Sequence, residues 1–402
     1  MTKWRRVGTG GILLYSGGYS RLGPARNPLD SDAAPRDAPA MTRTASDRPV
    51  PELGIIEGYF GPAWSWDARR AVVARLAPAG YGLFHYAPKA DAHLRRDWQR
   101  EHPLAQAEAL ARFAAETRAA GMRFGIGLTP YHLHLHFEGE GRAALARRLA
   151  QLDAIGIDDL AILFDDMRGD LPDLAERQAA IIAFCAERTR ATRLFTCPSY
   201  YSDDRVLDRV FGARPLRYLE DLGRRLDSAV QVYWTGEEVC ARAIDPGHLA
   251  DVAGRLGRKP WLWDNWPVND GPRMSTHLHL RGFTGRPAAN ARWLAGHAIN
   301  PALQPRLGCI PALTLPRLYA DADYRYMAAF RIAATAVAGE PLAAMLEADL
   351  LSFEDSGLER LSPERRAAAR ARYAAVDHPV AAEVVHWLDG GYAVSAEDVQ
   401  TQ

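Results

Sequence analysis

The feature that most constrains this chain is an alternation. From residue 53 onward, short runs rich in β-branched and aromatic residues end in polar groups, and a helical stretch follows each one. The runs are "LGIIEGYFG" (53–61), "YGLFHYAPK" (81–89), "RFGIGLTPY" (123–131), "LAILFDD" (160–166), "RLFTCPSYY" (193–201), "AVQVYWTG" (229–236), "PWLWDNW" (260–266) and "LGCIPAL" (307–313). Between them lie Ala/Arg/Leu-rich segments such as "WDARRAVVARLAPAG" and "GRAALARRLAQLDAIG". Their apolar positions fall at helical spacing, and glycine stands where a helix stops. Eight strands alternating with helices over about 260 residues predict a (β/α)8 TIM barrel, an α/β fold, over residues 51–320. An open doubly wound sheet is the alternative, but "EGYFG" is not the Gly-rich phosphate loop that such a sheet carries after its first strand.

The flanks differ from this core. Residues 1–50 include "RNPLDSDAAPRDAPAMTRTASDRPVP", which lacks periodicity and reads as a disordered extension. Its "ILLY" core is too short for a secretory signal, so a cytoplasmic protein is the expectation, with secretion the alternative. Translation starting at Met41 is a further expectation. After residue 320 strands give way to helical patterns, so 321–402 is expected to form a small helical region that packs on the barrel or pairs subunits as a homodimer. There "SPER" supplies Ser, Pro and Glu in the order of a helix start, and the residues after 391 are expected to fray.

Charge excludes some partners. Lys+Arg and Asp+Glu are both 49, so no net field draws the chain to nucleic acid or an acidic membrane. No apolar run is long enough to span a bilayer. Four scattered cysteines form no CxxC pair, which argues against a zinc knuckle or a disulfide framework.

In a barrel, active sites form at the C-terminal ends of the strands. Those ends carry Gly58, Tyr59, Lys89, Asp165, Asp166, Tyr201, Trp234, Asp264, Asn265 and Asp270. Carboxylates, amides and aromatic rings converging on one mouth suit a sugar, which presents hydroxyls and an apolar face. Asp165 and Asp166 follow a buried run directly. Successive strand residues face opposite ways, so the two share a pocket only if the backbone turns there. Even then they approach a sugar from one side, whereas an ordinary retaining glycosidase flanks the scissile bond with its carboxylates. The arrangement suits a substrate whose own 2-acetamido group is the nucleophile, with one carboxylate orienting it and the other moving the proton. The competing reading is an exposed turn in which Arg168 neutralises a charge.

"GIIEGYFGPAWSW", "YAPKAD", "LFDDM", "CPSYY", "YWTGEEV", "WDNWPVND" and "NP" (300–301) occur in this order. Together they resemble the catalytic barrel of glycoside hydrolase family 84, the O-GlcNAcase-like β-N-acetylglucosaminidases. The resemblance implies retaining hydrolysis of terminal β-linked GlcNAc through an oxazoline, with a GlcNAc-containing glycan or glycoprotein as substrate and no cofactor. It implies that Asp165 orients the acetamido group and that Asp166 is the general acid and then the general base. It implies sugar binding by the Gly58 carbonyl and Lys89, by Asn265 at the acetamido region, by Asp270 at the outer hydroxyls and by Asn300. Tyr201 and Trp263 would wall the acetamido pocket. The chain departs from the family at Tyr59-Phe60, where Phe-Tyr is usual, so the hydroxyl moves one place. It also departs at Ala90, which replaces an acid, and at Trp266, which replaces a smaller residue.

Two other readings compete. "YHLHLHF" (131–137) alternates His132, His134 and His136, which on a strand would share a face as in a metal-dependent hydrolase. A catalytically silent sugar-binding barrel is the third, since fold alone does not guarantee function.

Overall fold

The computed structural model describes residues 50–401. The expected disordered extension and the start at Met41 concern residues almost wholly outside these. Eight strands are β1 (Glu52–Glu57), β2 (Tyr81–Tyr86), β3 (Arg123–Leu128), β4 (Asp159–Leu163), β5 (Arg193–Cys197), β6 (Gln231–Trp234), β7 (Trp261–Asp264) and β8 (Gly296–Ile299). They close in sequence order into a barrel, every neighbouring pair parallel. This is the TIM barrel that the alternation predicts. The helices of the outer ring are α1 (Trp66–Leu76), α2 (Leu104–Ala119), α3 (Gly139–Ile155), α4 (Leu174–Ala186), α5 (Arg205–Phe211), α6 (Tyr218–Arg225), α7 (Pro246–Leu256), the one-turn α8 (Gly271–Met274) and α9 (Cys309–Ala320). Helices α10 (Tyr326–Ala338), α11 (Glu340–Leu350), α12 (Pro363–Ala374), α13 (Pro379–Leu388) and α14 (Ala396–Thr401) follow.

The eighth strand is not where the sequence places it. "LGCIPAL" (307–313) enters α9, and the strand is the four-residue "GHAI" ahead of it. A short apolar run fits a buried helix as well as a strand. The true strand is hidden by Gly296 and His297. Gly296 is required because a Cβ there would stand 2.4 Å from the Trp261 ring. His297 is buried with its Nε2 3.0 Å from Asp264 Oδ2 and its Nδ1 2.8 Å from the Tyr319 hydroxyl.

The barrel floor is polar but closed. Arg193 donates to both Glu52 and Asp159, while His85 bridges Asp159 (3.2 Å) and the Tyr233 hydroxyl (2.7 Å). Buried carboxylates in such a network are matched by cations and donors, as burial demands.

The helical region is fastened to the top of the barrel by two buried carboxylates. Glu354 Oε2 accepts from the backbone N–H groups of Leu280 and Arg281, in the connection after β7. Glu383 accepts from the N–H groups of Arg306 and Leu307, in the connection after β8. Ser362 caps α12, accepting from the Arg365 N–H with Pro363 at the first helical position, as the "SPER" signal predicts. The segment after 391 is not frayed: Val394 is buried and α14 packs on α8.

Candidate active site

A cavity opens at the C-terminal mouth of the barrel. Nine residues singled out in the sequence line it: Gly58, Lys89, Asp165, Asp166, Tyr201, Trp263, Asn265, Asp270 and Asn300. They come from the connections after β1, β2, β4, β5 and β8 and from β7 and its connection, so only closure of the barrel brings them together.

Asp165 and Asp166 face the same cavity because the chain turns between them. Strand β4 ends at Leu163, and Asp166 has φ 58°, in the left-handed region that non-glycine residues seldom adopt. That turn cancels the alternation of an extended strand. It costs backbone strain, which structures retain where function demands it.

The two carboxyl groups have different surroundings. Asp165 is 5% exposed and its Oδ2 accepts from the Lys89 ammonium, while its Oδ1 is buried with no hydrogen-bond partner. Asp166 is half-buried, and its Oδ1 accepts from the Tyr201 hydroxyl at 3.0 Å. Burial raises the pKa of Asp166. The Asp165 charge adds to that, against the Lys89 and Arg95 cations and the Tyr201 hydrogen bond, which lower it. One oxygen is thus an acceptor awaiting a donor, and the neighbouring carboxyl group is biased toward keeping its proton.

Amides form a directional chain along the opposite wall. The Gly58 N–H donates to Asn300 Oδ1 (3.2 Å), Asn300 Nδ2 donates to Asn265 Oδ1 (3.0 Å), and Asn265 Nδ2 donates to the Val239 carbonyl (2.7 Å). Because the backbone N–H can only donate, it fixes the orientation of both side-chain amides. Each amide nitrogen keeps a second N–H free of this chain. Gly58 itself is required by close approach: a Cβ there would stand 2.4 Å from Trp263 Cζ2. Trp263 packs edge-on to Tyr233, with ring centroids 5.4 Å apart.

Asp270 accepts from the Phe60 N–H at 2.8 Å, tying the connection after β7 to the one after β1. Burial pushes its pKa up to about 6, aided by the nearby Asp166 charge. The exchanged pair Tyr59-Phe60 has the consequence its register implies. Phe60 lines the cavity, and the Tyr59 hydroxyl turns into the core, 3.1 Å from Glu57 and 3.2 Å from the Trp64 N–H.

Several strand-end groups serve the scaffold instead. Glu57 is fully buried and gripped by Arg69. Asp264 is gripped by Arg286 at 2.6 and 2.8 Å and held at about 2 although buried, because that cation and His297 oppose the cost of desolvation. Trp234 is buried and donates to His248. The three alternating histidines do not share a strand face. Residues Leu133–Leu135 form a 3₁₀ turn, and His132 has φ 63°. His134 turns inward, its Nε2 2.9 Å from the Arg168 carbonyl, and burial pushes its pKa down to about 4. Among the described residues no three His, Cys, Asp or Glu side chains converge as a metal site. His279 stacks on Trp266 at 4.6 Å. Ala90 is exposed, so the acid it replaces would not face the cavity here.

The cavity also has walls that the sequence did not announce. Cys197, Thr235, Val239, Cys240 and Val268 come from the barrel top. Val399 comes from α14, about 130 residues beyond Asp270, and no local signal marks it.

Comparison with known proteins agrees with this architecture. The model of the NAGidase family, beta-N-acetylglucosaminidase, matches residues 53–351. The chain is 25% identical over 310 residues to the protein O-GlcNAcase of Rattus norvegicus, which covers 74% of this chain and 33% of the relative. It is 25% identical over 276 residues to that of Mus musculus, covering 66% of this chain and 30% of the relative. The chain thus spans about a third of the length of the curated relatives it matches. Among solved structures, a mutant O-GlcNAc hydrolase of Thermobaculum terrenum superposes with a TM-score of 0.72 at 24% identity, covering 85% of this chain and 81% of that one. At that identity the likeness speaks for the fold. Among the described residues no helix is long and apolar enough to cross a membrane.

Proposed function

The chain belongs to the β-N-acetylglucosaminidase family, and from that premise we propose that it is a retaining glycosidase that removes terminal β-linked GlcNAc by substrate-assisted catalysis. The observation that carries the reading is the unequal pair at the end of β4: a lysine-bound Asp165 with an unpartnered oxygen, beside an Asp166 whose proton is favoured.

The substrate's acetamido N–H donates to Asp165 Oδ1, which makes the amide oxygen more nucleophilic. That oxygen attacks C1 as the bond to the leaving oxygen breaks. Asp166 gives its proton to the leaving group. The product of this step is an oxazoline on the sugar, still protonated on nitrogen and paired through that N–H with the Asp165 carboxylate. A water molecule then attacks C1 from the vacated face, loses a proton to Asp166 and reopens the ring, so that two displacements retain the β configuration. Burial raises the proton affinity of Asp166, as its part as the acid requires. The Gly58 carbonyl, Lys89, Asn300 and Asp270 hold hydroxyls, Asn265 the acetamido region, and Tyr201 and Trp263 its walls. GlcNAc on serine or threonine of glycoproteins is the substrate class that the names of the curated relatives support.

The test is hydrolysis of an aryl β-N-acetylglucosaminide beside the matching β-glucoside, each with and without chelator. Turnover of the acetamido sugar alone, indifferent to chelator, is the expected result. Equal turnover of both sugars overturns acetamido participation.

A further inference from the structure

The mouth of the cavity is completed by a segment far from the barrel in sequence. Val399, in α14, lines the same cavity as Asp165 and Asp270. The segment that carries it is anchored at several points. Val394 is 3% exposed and its N–H donates to Ser275 Oγ at 3.1 Å, the hydroxyl of the buried residue that caps the C-terminus of α8. Gly61, with φ +113°, leaves the niche that Val394 fills: a Cβ there would lie 2.6 Å from Val394 Cγ2. Ser395 and Asp398 cap α14 reciprocally. The Asp398 N–H donates to Ser395 Oγ (3.0 Å), and the Ser395 N–H donates to Asp398 Oδ2 (2.7 Å). An unsupported six-residue helix is unstable in water, so the capping box and the buried valine are what hold it in place.

The position of this strap within the ring decides what it does. Gly61 follows β1, while Ser275 and α8 follow β7. Strands β7, β8 and β1 are neighbours, and β4, which carries the acid pair, is half-way round the barrel from β8. A sugar whose glycosidic oxygen meets Asp166 therefore turns its other end toward Asp270 and the strap. We propose that residues 392–401 are a specificity element of this site, with Val399 as the wall that confines the enzyme to sugars whose outer hydroxyls carry no further residue. This rests on the hydrolase reading above. A substituent on an outer hydroxyl of the bound sugar would run into Val399 and the Phe60–Asp270 bridge behind it. Apolar walls of this kind reject by shape.

The experiment compares three proteins: the full chain, Val399→Gly, and a deletion of residues 392–402. Each is assayed on an aryl β-GlcNAc and on the same compound bearing a hexose on O4. Binding of the non-hydrolysable thioglycosides of both sugars is followed in parallel by tryptophan fluorescence, with Trp263 as reporter. The full chain is expected to prefer the unextended sugar. Val399→Gly and the deletion are expected to raise the extended-to-unextended ratio of kcat/KM by about tenfold or more. An unchanged ratio in Val399→Gly, which removes the side chain that forms the wall, overturns the proposal whatever the deletion does. If neither sugar is hydrolysed but the variants lose the binding preference of the full chain, the strap stands and the hydrolase reading falls. Absence of binding to either thioglycoside overturns both.

Discussion

Lys89 donates a hydrogen bond to Asp165 across the mouth of the barrel, joining the connection after β2 to the one after β4, and it touches only one of the carboxylate's two oxygens. The other oxygen is left as a buried acceptor without a partner, in a residue that lines the cavity. An unpaired buried acceptor costs stability until a donor arrives, which gives a ligand N–H a specific energetic role.

Replacing Asp165 by Asn exchanges that acceptor for an amide that can present N–H groups to the substrate instead. The first chemical step is expected to slow by about 10²–10³, the scale of losing one oriented transition-state interaction, for good and poor leaving groups alike. Single-turnover rates on a phenol series of differing acidity check this. A loss confined to poor leaving groups would assign the acid role to Asp165 instead.

Asp166→Ala is expected to show the opposite pattern. Alkyl glycosides lose about 10²–10⁴ in kcat/KM, the scale of general acid catalysis, whereas activated aryl glycosides lose far less in the glycosylation step. A steeper dependence of rate on leaving-group pKa is the measurement. An unchanged slope contradicts proton donation by this residue.

The pH profile gives an independent reading. A general acid works protonated, so kcat/KM falls as pH rises through the pKa of Asp166, and burial has moved that pKa up. The Tyr201 hydrogen bond stabilises the charged form and opposes that shift. Tyr201→Phe removes it, so the basic limb of the profile is expected to move to higher pH, with a loss of activity of its own. A limb that stays in place would mean that another group sets it.

Gly58→Ala places a methyl group where Trp263 Cζ2 stands, and Trp263 is backed by Tyr233. Overpacking of this kind costs about 1–3 kcal/mol. A lower Tm and a raised KM are expected together, since the displaced indole is a wall of the cavity. A neutral outcome in both would show that the wall yields.

Much of this architecture is legible in the chain itself. Seven of the eight strands are marked by apolar runs long enough to stand out, and most of the polar residues singled out at their ends meet at the mouth, since barrel closure converts strand ends into a ring. Adjacent acids after "LAILF" are visible because such a pair is costly without a reason. The left-handed turn at Asp166 is not visible, since aspartate tolerates that conformation without requiring it. β8 escaped because four residues with a glycine and a histidine carry no strand signal. Val399 escaped because its role depends on a contact between segments distant in the chain, and nothing in its neighbours encodes that. Asp264 and Glu57 show the converse: strand-end acids consumed by buried arginines look the same in sequence as those left to face a ligand.

The buried carboxylates Glu354 and Glu383 give the helical region a hold on the site although neither lines the cavity. Each clamps two consecutive N–H groups of a connection that carries site residues, the one with Asn265 and Asp270 and the one with Asn300. A fragment trimmed to the barrel would keep all nine cavity residues singled out above and lose the fasteners of two of their loops. On the hydrolase reading, the smallest unit expected to turn over substrate is therefore larger than the barrel, with the helices after it as rigging that keeps the mouth in shape.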